Sequence, residues 1–305
     1  AHSDHGRDVV ETLLHASTGQ APDYQIKDLD KLMALATELN IETAERSDQE
    51  IAAEVASTAL DEFGTRKGTL AFLNRAPAPR REVWSKFGIV PRGIDREIVE
   101  TMHRTHMGVD TDYVNLILHG LRTALSDGWG GSMWATELSD VLFGTPQPIE
   151  GVSNLGVLKE DEVNIIVHGH EPTLSEMIVE AARDPELLEL ARSKGAKRIN
   201  ICGMCCTGNE LLMRHEVPVA GNFLQQELAI ITGAVEAMVV DVQCIMPSLT
   251  GLAGCYHTEI ISTSPKARFP GARHIPFEEQ NALKIAKEIV KLAVENYPRR
   301  NPDRV

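Results

Sequence analysis

The stretch Arg198-Ile-Asn-Ile-Cys-Gly-Met-Cys-Cys-Thr-Gly-Asn-Glu210 decides how this chain is read. Ile199 and Ile201 alternate with polar or small residues, which is the period of a strand. Leu211, Leu212 and Met213 supply the apolar residues of a following helix, and Gly203 and Thr207-Gly-Asn209 mark the turns between. Three of the five cysteines, Cys202, Cys205 and Cys206, fall at this junction. A thiol there meets the positive end of a helix dipole, which favours the thiolate that binds soft metals and performs redox chemistry. Free cysteine is also a common small core residue. Cys202, on the strand, reads as core, whereas the adjacent pair Cys205-Cys206, in a glycine-bounded turn, reads as functional.

The same rhythm extends either way from the junction. A continuous apolar run over 162–167 reads as a strand of a parallel sheet covered on both faces. It is followed by the loop His168-Gly-His-Glu-Pro172 and a helix opening at Pro172. A helix over 186–194, strands near 217–220, 237–241 and 258–262, a helix over 225–232 and a long amphipathic helix over 277–296 complete the pattern. Strands alternating with helices predict a Rossmann-like parallel α/β domain over residues 149–305. Residues 1–148 read instead as a helical domain, with apolar stripes over 9–14, 28–39, 48–63, 95–106, 110–126 and 133–142. The Pro-rich basic segment 75–92 reads as mostly connection, and Asp127-Gly-Trp-Gly-Gly131 as a sharp break in the helical pattern.

Composition bounds the function. With 305 residues and 43% hydrophobic content the chain can build two real cores, and a formal charge of −14 argues against nucleic acid or an anionic membrane as partner. No apolar run approaches transmembrane length and no signal peptide is evident. Five clustered cysteines favour a reducing, cytoplasmic compartment, with metal binding or catalysis in place of disulfides. The chain begins at Ala1, not Met, as a processed protein or an excerpt of a longer one would.

In a parallel sheet, ligands bind beyond the carboxyl ends of the strands. Three predicted strand ends carry His168-Gly-His170, Cys205-Cys206 and Asp241-Val-Gln-Cys244. Imidazole and thiolates at one edge suit zinc, iron–sulfur, nickel or copper. Cys202-Gly-Met-Cys205 is formally a CxxC, but its first cysteine is on a strand and no second CxxC exists. A cubane cluster takes four cysteines, so His170, Cys206, Cys244 and Cys205 fall short of a complete cluster site. Cys255 and His257 read as core or supporting residues. His2 with His5, and His103 with His106, are spaced to share a helix face, and on spacing alone read as solvated or capping. Asp127-Gly-Trp-Gly-Gly-Ser132 lacks the strand of a phosphate loop, and Ser264-Pro-Lys-Ala-Arg-Phe-Pro-Gly271 is a basic loop suited to an acidic group or an ion-pair network.

Cys205-Cys-Thr-Gly-Asn-Glu210, His168-Gly-His-Glu-Pro172, Asp241-Val-Gln-Cys-Ile-Met-Pro247 and Ser264-Pro-Lys-Ala-Arg-Phe-Pro-Gly271 together resemble the catalytic subunit of anaerobic nickel–iron–sulfur carbon monoxide dehydrogenase. Ala1-His-Ser-Asp-His-Gly-Arg7 and Arg122-Thr-Ala-Leu-Ser-Asp-Gly-Trp-Gly-Gly-Ser-Met133 resemble that family too, so the likeness runs over essentially the whole chain. The resemblance implies reversible oxidation of CO with water to CO2, two protons and two electrons at a Ni-4Fe-4S cluster with a pendant iron. It implies His170 and Cys206 as ligands of that iron, Cys244 as a ligand of the cubane part and Cys205 as an alternate ligand. It further implies His2 as the active-site histidine, His5 as the next member of a proton path and Asp127 as the group that orients His2. Asp8 and Glu11 stand where a longer histidine path would continue. Additional 4Fe-4S clusters, a ferredoxin-like electron acceptor, a homodimer and an acetyl-CoA synthase subunit as candidate partner follow from the same likeness. The segments that would carry the remaining clusters, cysteines and an acid/base lysine are not in this sequence, so a middle portion of a longer polypeptide is expected. The rival readings are a hybrid-cluster redox enzyme without nickel and a structural piece inactive as isolated.

Overall fold

The computed structural model describes residues 2–64 and 68–305, and the chain divides into two compact units, Ala1–Gly144 and Thr145–Val305. The first is helical: α1 (His2–Ser17), α2 (Leu29–Glu38), α3 (Asp48–Gly64), α4 (Ala78–Lys86), α5 (Ile94–Arg104), α6 (Tyr113–Ser126) and α7 (Met133–Phe143). Helix α1 buries Ser3, Gly6, Val9, Val10 and Leu13, a stripe at helical spacing, against α3 and α7. The core is closed by the fully buried Trp134 and Phe72, whose rings are 4.5 Å apart. Asp28 and Asp112 cap α2 and α6 by accepting the Lys31 and Val114 amides, which satisfies donors the helix itself leaves orphaned.

Two expectations are corrected in this unit. The Pro-rich segment forms α4, because Pro77 is its N-cap and Pro79 lies in its first turn, where a missing N–H costs nothing. The glycines of Asp127–Ser132 do not break the helix: this segment is a π-helical turn that carries α6 directly into α7. The wider turn lets α1 come close, since a Cβ at Gly6 would lie 2.3 Å from the Gly131 carbonyl oxygen, and one at Gly131 2.3 Å from Ser3 Cα. These small residues are therefore packing residues, and a π turn of this kind often marks a functional position.

The second unit is α/β, as expected: β1 (Val163–Gly169), α8 (Pro172–Ala181), α9 (Pro185–Ser193), β2 (Ile199–Met204), α10 (Cys205–His215), β3 (Val219–Gly221), α11 (Gln226–Ile231), β4 (Val235–Val240), α12 (Leu249–Ala253), β5 (Glu259–Ser262), β6 (Arg273–His274) and α13 (Ala282–Asn296). The six strands form one sheet in the order β3-β2-β1-β4-β5-β6, every pair parallel. Strand order reverses direction between β1 and β4, the topological switch point at which such sheets bind ligands. Strands β1, β2 and β4 end level, with His168 paired to both Met204 and Val240. Ile166, Cys202, Met238 and Ile260 lie in one paired row and are buried with Ala229 and Ile230 of α11 and Leu249 and Ala253 of α12. Cys202 is thus a core residue, and burial pushes its thiol up to about 12. Helices α8, α9, α10 and α13 pack on one another as a connected layer.

Three details differ from the sequence reading here. The last helix starts at Ala282, five residues later than its apolar pattern, because Glu279–Asn281 is a tight 3-10 turn. The two-residue edge strand β6 and the short helix α12 carry too few residues to leave a periodic trace. Cys255 is exposed and not in the core.

Gly203 and Gly208 let the first turn of α10 lie on the end of β2, since a Cβ at Gly203 would sit 2.4 Å from Gly208 Cα. Gly203→Ala is expected to destabilise the chain by roughly 2 kcal/mol or more, as overpacking against backbone does. Chemical denaturation of variant and parent checks this, and equal midpoints would contradict the packing described.

Candidate metal centre

The carboxyl edge of β1, β2 and β4 gathers four of the sequence-predicted ligands. Strand β1 ends at Gly169 and delivers His170 before Glu171 caps α8. Strand β2 passes into α10 with no intervening loop, so Cys205 is the first helical residue and Cys206 the second. Strand β4 is followed at once by Asp241, and Cys244 stands three residues on. His170 Nε2 lies 3.8 Å from Cys244 Sγ, and Cys205 Sγ lies 3.8 Å from His168 Nε2. Cys205 and Cys244 are half-buried and Cys206 is exposed.

Electrostatics at this edge departs from the dipole expectation. Burial pushes the Cys205 thiol up to about 11, reinforced by Cys244, Cys206 and Asp241. Cys206 is raised as well, by burial and then by Cys244. The helix N-terminus does not overcome desolvation and the neighbouring thiols. The mutual opposition places these sulfurs within electrostatic reach of one another. A soft cation would reverse it, holding the thiols as thiolates. The donor set of three thiols and an imidazole therefore fits a thiophilic metal group. Among the described residues, no trio of donors at this edge has all its ligand atoms within 4.8 Å. The one trio that does converge, Glu97, Glu100 and His119, is occupied by ion pairs from Arg92 and Arg104 to the two glutamates.

Two residues that sequence reasoning left without a role hold the edge together. The buried carboxylate of Asp241 accepts from the His170 amide at 2.8 Å, the Val242 amide and the Thr207 hydroxyl at 2.8 Å. Burial pushes it up to about 7 despite these donors. Gln226, fully buried, donates to the Cys244 carbonyl oxygen at 2.6 Å and accepts from the Met246 amide at 3.3 Å. Asp241 was visible in the sequence only as the polar residue ending an apolar strand, and Gln226 only as a polar residue in a helix. His168 is buried at the end of β1, where desolvation and then the nearby His170 push its imidazole down to about 4.

The other predicted residues belong to the helical unit. His2 Nδ1 donates to Asp127 Oδ2 at 2.8 Å, and Asp127 Oδ1 accepts from the amide and hydroxyl of Ser3, each at 2.8 Å. Burial works against ionisation of Asp127, but the hydrogen bonds from Ser3 and His2 outweigh it and its pKa is lowered. The π turn thereby ties the start of α1 and fixes the His2 ring with Nε2 turned away from the carboxylate. His5 is buried on the same helix, and His103 and His106 are exposed. His257 is buried and bonded to Glu236 at 2.8 Å, a structural pair.

The chain belongs to the Prismane/CO dehydrogenase family, whose model matches residues 1–305. It is 65% identical over 305 residues to carbon monoxide dehydrogenase 1 of Methanosarcina acetivorans, covering 100% of this chain and 49% of that protein. It is 45% identical over 303 residues to the carbon monoxide dehydrogenase/acetyl-CoA synthase subunit beta of Moorella thermoacetica, covering 98% of this chain and 44% of that protein. Among solved structures, the as-isolated, nickel-free carbon monoxide dehydrogenase of Thermococcus sp. AM4 superposes with a TM-score of 0.97 at 56% identity, over 100% of this chain and 48% of that one. The chain spans about half the length of the curated relatives it matches.

The folded value of His168, about 4, lies below its ordinary value of 6.5. The neutral ring therefore stabilises the fold above about pH 6.5, and that contribution is lost as pH falls towards 4. Asp241, raised from 3.8 to about 7, acts in the opposite sense over the same window. In the metal-free chain, parent should lose roughly 2 kcal/mol relative to His168→Gln between pH 7.5 and pH 5. Urea unfolding at the two pH values reads this, and parallel losses in both proteins would contradict it.

Proposed function

We propose that the polypeptide carrying this chain is an oxidoreductase that converts CO and water reversibly to CO2, two protons and two electrons at a nickel–iron–sulfur cluster held in part by this chain. The observation that carries the reading is the meeting of His170, Cys205, Cys206 and Cys244 at one sheet edge, in a chain matched over its whole length to the family. Identity of 65% to a relative named carbon monoxide dehydrogenase favours CO over the nitrogen chemistry of a hybrid-cluster enzyme.

The group, when bound, supplies Lewis-acid activation of CO and water and a place for the two electrons. His170 and Cys206 would hold its pendant iron, Cys244 its cubane part, and Cys205 would serve as alternate ligand. The remaining ligands come from beyond these residues. His2 handles protons: Asp127 accepts from Nδ1–H, which leaves Nε2 to hydrogen-bond substrate oxygen and take up a proton. Asp127 stays ionised through its lowered pKa and stabilises the imidazolium that results. His5 is the next proton acceptor along α1. Further 4Fe-4S clusters and a ferredoxin-like acceptor would take up the two electrons. A second copy of the chain is the expected partner, and an acetyl-CoA synthase subunit is another, as the name of the Moorella relative joins the two activities. No helix among the described residues is long and apolar enough to cross a membrane; the free, clustered cysteines are what support placing the enzyme in the cytoplasm.

His170→Ala and Cys206→Ala in the full polypeptide are each expected to lower CO-dependent dye reduction by more than about a hundredfold, since loss even of outer partners of metal ligands costs 10–100-fold, while far-UV circular dichroism is unchanged. Turnover near that of the parent in either variant would refute the assignment. Elemental analysis of the parent should find nickel with iron, and iron without nickel would favour the hybrid-cluster reading.

A further inference from the structure

Asp241 is an acid buried among neutral donors. Its hydrogen-bond donors come from three separate segments: the backbone of His170 and Glu171 after β1, the Thr207 hydroxyl in the first turn of α10, and its own neighbour's amide at Val242. An acid placed this way is a costly means of filling space, and an apolar residue would fill it with less desolvation. The surrounding backbone is built to admit it. Gly169 has φ +137°, and a Cβ there would lie 1.7 Å from Asp241 Oδ1, so the strand end has no room for any side chain. Thr207 is fully buried.

The segments on either side are strained. Cys205, Gln243 and Cys244 have φ of 59°, 64° and 50°, left-handed values that non-glycine residues seldom adopt. Such conformations cost of order 1–3 kcal/mol each and persist only where the surroundings over-determine them. Two of the three strained residues are candidate ligands. The hydrogen bonds of Asp241 reach residues close to them in the chain: Thr207 is two residues from Cys205, and Val242 two residues from Cys244. Without that acid, the side-chain tie common to the three segments is lost, leaving the backbone bridge between Gly169 and Cys205 and the Gln226 amide on the Cys244 carbonyl.

We propose that Asp241 is a positioning residue that locks the His170 loop, the Cys205-Cys206 turn and the Cys244 turn into one register and so presets the ligand spacing for the metal group. It acts through these segments and touches neither metal nor substrate. The inference rests on the reading of His170, Cys206 and Cys244 as ligands. Thr207 is its relay to α10, and Gly169 the space it requires.

The test uses the full polypeptide, with Asp241→Ala, Asp241→Asn, Thr207→Val and Thr207→Ser. Iron and nickel per chain, the electron paramagnetic resonance spectrum of the reduced protein and the kcat for CO oxidation are read alongside the melting temperature. Asp241→Ala should lose about tenfold or more in metal retained against a chelator, the scale on which outer partners of metal ligands act. Asp241→Asn, which keeps an acceptor for both amides, should recover most of that loss. Thr207→Val, nearly isosteric, should alter the spectrum and lower kcat at unchanged KM, and Thr207→Ser should restore both. Parental metal content and spectrum in Asp241→Ala overturn the proposal. If that variant does not fold, a parental spectrum and kcat in Thr207→Val overturn it instead. A parent with iron but neither nickel nor CO oxidation refutes the functional reading alone, and the variants' iron content still decides the role of Asp241. A parent that binds no metal refutes both.

Discussion

The carboxylate of Asp241, sunk beneath the carboxyl edge of the sheet, accepts hydrogen bonds from the His170 loop, from Thr207 and from the start of its own turn. The level ends of β1, β2 and β4 bring three segments to this place, but level strands alone do not fix the loops that leave them. Loop backbone is soft, and two of the candidate ligands sit at left-handed φ. The bonds to this one acid, with the Gln226 amide on the Cys244 carbonyl, make the edge a rigid frame. Rigidity of this order is what a metal site requires, because its ligands must stand ready before the metal arrives.

A second frame of the same logic occupies the helical unit. There the π turn between α6 and α7 sets Asp127 under the first turn of α1, where it binds Ser3 twice and His2 once. Close approach of Gly6 and Gly131 is what makes the contact geometrically open. In both places a carboxylate anchors backbone amides beside a candidate functional side chain. In both, glycines are required by contact with another segment, and Gly169 also by its φ of +137°.

Much of this could be read from residues alone, and the reasons are specific. The buried parallel strands announce themselves as continuous apolar runs, and the loops at their carboxyl ends carry the histidines and cysteines, so the edge that gathers His170, Cys206 and Cys244 was legible from the strands and their common direction. What escaped was set by tertiary contact. Glycines 128, 130 and 131 read as a break, yet helix packing keeps them helical. Pro77 and Pro79 read as connection, yet they open α4. The helix dipole at Cys205 promised a ready thiolate, while burial and the adjoining sulfurs raise the thiol instead. The role proposed for Asp241 has no sequence signature, because its partners converge only once the sheet is formed.

The central claim is that this sheet edge holds part of a metal cluster. Anomalous diffraction at the iron and nickel edges, from crystals of the full polypeptide grown without oxygen, tests it most directly. The account predicts an iron peak at bonding distance from both His170 Nε2 and Cys206 Sγ, with further metal density at Cys244 Sγ. An edge devoid of metal in active protein, or metal held instead by Glu97, Glu100 and His119, would contradict it.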